Sequence, residues 1–507
     1  MRPHEMARKQ EDSELELTAL QPAVDRKQHE PVPGHQHDYE KALITRVYWG
    51  LLPWMFITGL FTYFDRANFS FAAPALRHDL GLSNAAYGLA SGILFAGYAA
   101  LAIPSNLVIS CVGAKVWLPV LTTAWGIIAA AQAAVKEEKA LIALRFFLGA
   151  AEAGCFPGMW FHSTKFLRDS ELTLAYAVIL SSAVISQVVG APLAAALLLM
   201  EGVCGLHGWQ WLFIIEGAAT CLWGIVLAVA LAACPASAWF LSREQREWLQ
   251  KRQDQEQARR QADLAKSGKA WAPLLSLRMW WLSFAWLLIG ATITNIIVWT
   301  PLLLDAALSG TFNGQLQAHG VASADPRAEA WHNAKLALIT SILYVPTAVA
   351  MIGVGWSSRR FEERRWHCFV PLVIAGIAFM FVPLGMTRGA ISGFVLMIVS
   401  AVGTWAVYGP MVSWPNTLLH GRGAAVGLAF YNVLGAIGGF VSPYVVGRLS
   451  NGGSYNSSMY VQGAFNLAAA LMVLAPSAWD IESIGMHRLG DWIEACLKEV
   501  VGCKIGI

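Results

Sequence analysis

The chain has 507 residues, of which 56% are hydrophobic and only 14% are charged, and its formal net charge is +3. An ordinary soluble domain has about 25% charged residues, so this composition argues against a water-soluble protein. The small net charge argues against a nucleic-acid partner, which requires a strong excess of basic residues. The apolar residues form blocks of about 20, the length that crosses a bilayer, and we therefore expect an integral membrane protein.

The first residues of the chain are polar and lack an apolar core. Their content of Pro, His and Gln predicts a disordered tail at 1–45, without a secretory signal peptide. His29, His35 and His37 have no fourth metal ligand near them, and the eight scattered cysteines show no metal-ligand spacing. We predict neither a metal ion nor a cofactor.

Twelve apolar segments of membrane-spanning length follow the tail. Their predicted bounds are 48–72, 84–108, 116–135, 140–165, 173–199, 209–233, 276–303, 335–356, 367–386, 390–413, 423–447 and 458–479. A long charged segment separates the sixth from the seventh. The predicted fold is therefore all-α, with twelve transmembrane helices in two pseudo-symmetric six-helix bundles. The predicted organisation is a tail at 1–45, a first bundle at 46–234, a connector at 235–275, a second bundle at 276–480 and a C-terminal tail at 481–507.

Two polar segments of the chain have helical patterns. In the connector, Ser242 followed by Gln245 predicts a capping box that begins a helix. Acidic residues interleave with basic ones along that helix, which favours a plain solvated surface helix. In the C-terminal tail, the apolar residues of "HRLGDWIEACLKEVV" share one helical face. That helix lies either in the membrane interface or against another part of the chain, and both interpretations stay open.

The distribution of basic residues predicts the orientation in the membrane. With both termini inside, 27 of the 36 Lys and Arg residues lie on the inner side and 7 on the outer side. Arg66 and Arg145 are the remaining two and lie within spans. By the positive-inside rule both termini are cytoplasmic. We expect a multi-pass protein, and we favour the plasma membrane over an internal membrane.

Four charged residues interrupt apolar spans: Asp65 and Arg66 in the first, Arg145 and Glu152 in the fourth. A charge at the centre of a membrane helix costs about 2.5–3.5 kcal/mol on insertion scales, so these side chains must face a polar cavity or one another. The spacing of Arg145 and Glu152 returns them to one helical face, about 10.5 Å apart along the axis. We expect both to point into one common space at different depths.

These charges have two interpretations. They are either static salt bridges that join the first and fourth helices, or a functional set in which arginines bind an anion and carboxylates bind protons. We favour the second, because a proton and an anion that share one site change each other's affinity. The candidate residues that hydrogen-bond the same ligand, with interhelical hydrogen bonds as the alternative, are Tyr63, Tyr98, Asn295, Tyr431 and Asn432.

Other patterns within the spans predict packing. Gly154 with Gly158, and Gly435 with Gly439, form GxxxG patterns that let a neighbouring helix approach closely. We expect the run "WWLSFAW" at 280–286 to face lipid or to pack at the membrane interface, and not to bind a ligand.

Several local patterns resemble those of a known family. They are "YFDRANFSFA", "GYAALAIPSNLVI", "RFFLGAAEAGCFPG", "GWQWLFIIEG" and "GLAFYNVLGAIGGFVSPYVVGRL". With the six-plus-six arrangement, they are similar over about residues 48–480 to the anion:cation symporter family of the major facilitator superfamily. The resemblance implies two bundles related by a pseudo-two-fold axis, a midplane site and alternating access. Members of this family carry organic anions, many of them together with protons.

The resemblance also implies roles for single residues. Asp65 and Glu152 match the family's protonatable acids, and Arg66 and Arg145 match its positive residues. Tyr63, Tyr98 and Asn432 fall where sugar-acid members contact substrate. The chain departs from that pattern in the fifth helix, where Ala183 stands at the position of a glutamine and the nearest one is Gln187. This departure argues against a sugar acid.

We therefore predict a secondary active transporter of a small organic carboxylate. The expected mechanism is proton symport, and the expected partners are the substrate, protons and the lipid bilayer, with the protein acting as a monomer. The first alternative is an anion uniporter or exchanger without proton coupling. The second is a membrane sensor of the same fold that moves nothing. An enzyme is disfavoured, because we find no nucleophile with a base partner and no phosphate-binding loop.

Overall fold

The computed structural model describes residues 34–266, 274, 276–309, 326–418, 422–450 and 454–474. The predicted C-terminal tail, residues 1–33 and most of the loop after the seventh span lie outside the described residues. Contacts divide the chain after Gly50, and the packing described below concerns residues from Leu51 onward.

Twelve helices of the described part are long and apolar enough to cross a membrane, which confirms the predicted number. They are α1 (Gly34–Phe71), α2 (Asn84–Val112), α3 (Ala114–Ala131), α4 (Glu138–Thr164), α5 (Asp169–Leu198), α6 (Gly208–Ala230), α7 (Leu277–Leu308), α8 (Pro326–Arg360), α9 (Arg365–Arg388), α10 (Ala390–Ser413), α11 (Arg422–Leu449) and α12 (Asn456–Leu474). The shorter helical segments are Ala73–Leu80, Gln132–Ala134, Val203–Gly205, Pro235–Ser237, the connector helix Arg243–Lys266 and Pro415–Leu418.

The first helix begins earlier than the sequence predicts. The predicted tail reaches residue 45, whereas α1 begins at Gly34. Leu43, Val47 and Leu51 are buried and recur every four residues, so one apolar helical face continues across the predicted border.

Two of the spanning helices are interrupted. In α4 a turn at Ala153 and Gly154 separates Glu138–Glu152 from Cys155–Thr164. In α10 the interruption lies at Val407, three residues before Pro410. Proline has no N–H to donate to the preceding turn, and its ring crowds the carbonyl four residues earlier, which explains the second break.

Glycines allow the close helix contacts that the GxxxG patterns predict. A Cβ atom on Gly154 would collide with Ser105 of α2. A Cβ atom on Gly435 would collide with the indole of Trp286 in α7, and one on Gly439 would lie 3.0 Å from the Phe95 ring of α2. The predicted close approach is confirmed at both patterns. Helix α11 thereby packs against α7 and α2 together.

The first six helices and the last six are joined at one end of the molecule by hydrogen bonds. The Asn84 amide donates to the Ser450 carbonyl oxygen at 2.8 Å, and the Tyr87 hydroxyl donates to the Val298 carbonyl oxygen at 2.9 Å. We call this end, defined by Asn84, Tyr87, Val298 and Ser450, the sealed end. These bonds hold α2 against α7 and the end of α11.

The connector helix begins as predicted but is more than a solvated helix. Ser242 and Gln245 exchange the two hydrogen bonds of a capping box, at 3.1 and 3.3 Å. Arg252 is buried and donates to both carboxylate oxygens of Glu171, at the start of α5. Arg260 donates to backbone carbonyls at the end of α4. The expectation of a plain solvated helix is wrong, because Glu171 at the start of α5 and backbone carbonyls at and just after the end of α4 accept hydrogen bonds from these arginines.

Candidate functional site

Helix α1 places Tyr63 and Arg66 on one face, because residues three apart in a helix are neighbours. The Arg66 side chain is 15% exposed, and its guanidinium carbon lies 5.3 Å from the centroid of the Tyr63 ring. The ring of Phe95 lies at 5.3 Å and that of Tyr98 at 5.9 Å, both from α2. Arg66 is therefore a cation among three aromatic rings, an arrangement that stabilises its charge.

An ion pair joins Arg66 to Glu152 of α4. Nη2 of Arg66 donates to Oε2 of Glu152 at 2.8 Å, and Nε donates to the same oxygen at 3.2 Å. The other carboxylate oxygen, Oε1, is buried and has no hydrogen-bond partner. The Glu152 side chain is fully buried. A carboxylate that leaves one oxygen unused can bind a proton there without first losing a hydrogen bond.

The second arginine of the site, Arg145, is only 2% exposed. Its guanidinium carbon lies 4.1 Å from the centroid of the Phe69 ring, and its Nε donates to the Ala90 carbonyl oxygen at 3.3 Å. Its Nη1 is buried without a partner. Asp65 and Glu152 both act on it electrostatically, so the structure brings the four predicted charged residues together.

The close contact between α2 and α4 fixes these positions. Gly149 lies between Arg145 and Glu152 in α4, and a Cβ atom there would collide with the Leu94 carbonyl group of α2. Gly97 meets the backbone of α4 in the same way. Because the two backbones touch, Glu152 of α4 comes within hydrogen-bonding distance of Arg66, which lies beside the aromatic rings of α2.

A third buried acid, Glu216 of α6, belongs to the same cluster and was not predicted. It is 5% exposed, it faces the side chain of Asn68, and neither of its carboxylate oxygens has a hydrogen bond of good geometry. It lies within electrostatic range of Asp65, which is itself buried and has one unpartnered oxygen. The signal was present in the sequence, because Glu216 interrupts the apolar run "WLFIIEGAATCLW".

The cluster holds three carboxylates and two guanidinium groups. If all five were ionised, it would have a net charge of −1 inside the helix bundle. A buried net charge is costly, and one bound proton removes it. The acid cluster, defined as Asp65, Glu152 and Glu216 with Arg66 and Arg145, is thus suited to bind and release protons.

The remaining predicted site residues have different surroundings. Tyr431 is buried, and its hydroxyl donates to the Met411 carbonyl oxygen at 3.0 Å. Asn295 is buried inside the last six helices, where it donates to the Ser442 hydroxyl and lines a small cavity. None of these contacts involves Arg66. Asn432 has an exposed side chain on α11. Their assignment to the substrate remains a prediction.

Among the described residues, no group of three or more His, Cys, Asp or Glu side chains is arranged to hold a metal ion. The described site consists of one ion pair, further buried charged side chains and aromatic rings.

Comparison with known proteins identifies the family. The model of the Major Facilitator Superfamily matches residues 55–443. The chain belongs to this superfamily. It is therefore a membrane transporter rather than an enzyme, and an integral multi-pass membrane protein, as predicted.

Curated relatives of this superfamily member cover most of the chain. A protein named "Putative tartrate transporter" from Agrobacterium vitis is 30% identical over 464 residues, 89% of this chain and 96% of its own length. The "Putative metabolite transport protein NicT" of Pseudomonas putida is 29% identical, over 86% of this chain and 95% of its own. These names agree with the predicted resemblance to organic anion transporters.

Solved structures show the same fold. The bacterial homologue of the human lysosomal transporter Spinster, in an inward-facing and occupied conformation, superposes with a TM-score of 0.65 at 17% identity. It covers 84% of this chain and 96% of its own. The D-xylose–proton symporter superposes with a TM-score of 0.62 at 11% identity, over 84% of this chain and 97% of its own. The predicted all-α fold is confirmed.

The site of this superfamily member also includes Tyr408, an aromatic residue that the sequence analysis did not predict. Tyr408, just after the break in α10, lies with its hydroxyl beside that of Tyr63 and within electrostatic range of Arg66. Its ring lies 5.6 Å from that of Trp286, which in turn stacks on Tyr431 at 5.4 Å. The expectation that the whole run 280–286 faces lipid or packs at the interface is wrong for Trp286, which is buried against Gly435. The sequence signal for Tyr408 was Pro410, which predicts a break in the helix close to this tyrosine.

Proposed function

We propose that the protein is a proton-coupled symporter of a small organic carboxylate that works by alternating access. The observation that carries this proposal is the Arg66–Glu152 ion pair, in which two donors of the guanidinium share a single carboxylate oxygen. A substrate carboxylate is chemically equivalent to the Glu152 side chain, so the two compete for the same donors.

Competition for Arg66 gives the coupling. When a proton binds the unused oxygen of Glu152, the acid loses its charge and its interaction with Arg66 weakens. The guanidinium is then available to a substrate carboxylate. When the proton leaves, Glu152 recovers its charge and displaces the substrate. Each ligand thereby raises the affinity of the other, which is the reciprocal linkage that symport requires.

Charge balance supports the same cycle. The empty acid cluster is neutral with one bound proton, and the cluster with a monocarboxylate is neutral with two. If the protein changes between its two conformations only when the acid cluster is neutral, it moves one proton with each monocarboxylate. Neutral forms are favoured because moving a net charge through a low-dielectric interior is costly.

The orientation follows from the basic residues, most of which are on the side of the termini. With both termini in the cytoplasm, the sealed end faces outward. We propose that the halves 46–234 and 276–480 rock about the site, as a monomer in the plasma membrane. Relatives named as tartrate and metabolite transporters support an organic anion as substrate.

The test is uptake by the purified protein in liposomes, with labelled carboxylates and an inward proton gradient. We expect accumulation that collapses when a protonophore is added. Equilibration that ignores the gradient would instead favour an anion uniporter or exchanger. Saturable binding without any flux would favour a sensor and reject the proposal.

A further inference from the structure

In the part of the chain that the structure describes, the buried charges of the membrane-spanning helices lie in the first half. Among the described residues of α7 to α12, no Asp, Glu, Lys or Arg side chain is buried. The acid cluster is contributed entirely by α1, α4 and α6. A substrate that reaches across to the second half therefore meets no buried charge there.

What the second half presents to Arg66 is aromatic. Tyr408 lies directly beside Tyr63, and behind it the ring of Trp405 lies at 5.7 Å and that of Trp286 at 5.6 Å. Trp286 stacks on Tyr431 with an angle of 13° between the ring planes. We call Trp286, Trp405, Tyr408 and Tyr431 the aromatic wall.

The first half adds aromatic surface around the guanidinium itself. Tyr63, Phe95 and Tyr98 surround Arg66, and Tyr98 and Phe95 are half-buried rather than sealed in the core. Tyr408 is half-buried as well. A ligand carboxylate at Arg66 would thus lie near half-buried aromatic side chains of both halves, from α2 and from α10.

On the basis of the proposed function, we infer that the substrate is an aromatic monocarboxylate, whose carboxylate binds Arg66 and whose flat ring lies against Tyr98 and Tyr408. Stacked or edge-to-face rings attract each other beyond the burial of their area. Trp286, Trp405 and Tyr431 are buried behind Tyr408, so the accessible rings are those of Tyr98 and Tyr408, and these favour a flat ring over a saturated body of the same size.

The rings of Tyr98 and Tyr408 also disfavour two other classes of carboxylate. A dicarboxylate would bring a second charge against these rings, and the second half has no buried cation among its described residues to pair with it. Arg145 of the first half is only 2% exposed and packs on the Phe69 ring, which keeps it from a second carboxylate, and an unpaired buried charge is strongly unfavourable. A polyhydroxylated acid would place hydroxyl groups against the faces of the same rings, which replace the hydrogen bonds of water poorly. The inference therefore separates this protein from relatives whose names specify tartrate.

The experiment measures how strongly four unlabelled probes inhibit the binding or uptake of a labelled carboxylate in liposomes. The probes are benzoate, cyclohexanecarboxylate, phthalate and tartrate. Benzoate and cyclohexanecarboxylate share charge and approximate size but differ in flatness. We expect benzoate to compete at least about tenfold better than each of the others, corresponding to about 1.4 kcal/mol. Equal or stronger competition by tartrate, phthalate or cyclohexanecarboxylate would overturn the inference.

Two variants test the wall directly. Tyr408→Leu removes the ring, whereas Tyr408→Phe retains it and removes only the hydroxyl. We expect the preference for benzoate over cyclohexanecarboxylate to be lost in the first and retained in the second. Trp356→Leu, at an exposed position of α8, is the control that leaves the preference unchanged. A preference retained in Tyr408→Leu would also reject the inference, and the comparison of probes on the unmodified protein remains decisive if that variant fails to fold.

The outcomes distinguish this inference from the proposed function. Proton-driven uptake of tartrate with no recognition of benzoate would reject the aromatic substrate and leave the symporter standing. Recognition of benzoate without any proton dependence would support the aromatic substrate and reject the coupling.

Discussion

Arg66 and Glu152 lie in different helices, and the two donors of the arginine converge on one oxygen of the acid while the other oxygen has no partner. The pair is buried among aromatic rings, next to two further acids and a second arginine. In the proposed mechanism, the unpartnered oxygen of the acid takes up the proton, and a substrate carboxylate replaces the acid at the arginine.

Replacing Glu152 tests the coupling. Glu152→Gln has nearly the same shape but does not gain or lose a charge, so Arg66 stays available to the substrate. We expect loss of accumulation driven by a proton gradient, with counterflow exchange of labelled substrate preserved. The matched control is Glu138→Gln at the exposed start of the same helix. Normal accumulation by Glu152→Gln would show that this acid does not carry the proton.

Replacing Arg66 tests the anion site. Arg66→Lys retains the charge but loses the fork of donors that holds a carboxylate and the flat group that packs against three rings. We expect the KM for substrate to rise about tenfold or more, with a smaller change in maximal rate. The measurement is initial uptake at increasing substrate concentration, with Arg359→Lys, an exposed residue at the end of α8, as the control. An unchanged KM would place the carboxylate elsewhere.

Replacing Glu216 tests the charge count of the acid cluster. The empty cluster of Glu216→Gln is neutral without a bound proton, because two acids then face two arginines. In the unmodified protein, uptake with the same pH on both sides should fall as the pH rises, since the empty carrier must bind a proton to return. We expect this fall to be reduced in Glu216→Gln. Glu137→Gln, an exposed acid before α4, should behave like the unmodified protein, and identical profiles for all three would exclude Glu216 from the cycle.

The connector helix offers a test of stability. Arg252 is buried and binds both oxygens of Glu171. Arg252→Glu places two acids together, and we expect a lower melting temperature of the purified protein. The double variant Arg252→Glu with Glu171→Arg restores opposite charges and should recover part of the loss. Arg243→Glu, in an exposed pair with Glu247, should have little effect, because exposed ion pairs contribute little. A double variant no more stable than Arg252→Glu would contradict a specific ion pair.

A pH effect on stability is expected at the loop between α8 and α9. Burial alone would raise the pKa of Glu363, but hydrogen bonds from the backbone N–H groups of Trp366 and His367, and from the His367 ring, lower that pKa below its ordinary value. A lowered pKa in the folded state means that the stabilisation is present above the ordinary pKa and is lost as the pH falls through the folded-state value. The melting temperature should therefore fall less in acid for Glu363→Gln than for the unmodified protein, from a lower starting value at neutral pH. Parallel curves for the two proteins would remove Glu363 from this effect.

The sequence was sufficient for the membrane architecture. Spans of about 20 apolar residues have few alternatives, because backbone groups in lipid must be hydrogen-bonded within the segment. The cost of a buried charge likewise singled out Asp65, Arg66, Arg145 and Glu152. The same argument applies to Glu216, which also interrupts an apolar span. The sequence was therefore sufficient to predict this acid as well, although the prediction did not include it.

The tertiary structure alone decided which of these residues meet. Asp65 and Arg66 are adjacent in sequence, yet the ion pair forms between Arg66 and Glu152, because touching backbones of α2 and α4 set the depth of the acid. Tyr408 reaches Tyr63 because α10 breaks before a proline, and Asn295 points instead towards Ser442. Hydropathy determines that a segment crosses the membrane, but it does not determine the rotation and contact distance of each helix. Those depend on packing against neighbours, and they select which side chains form the site.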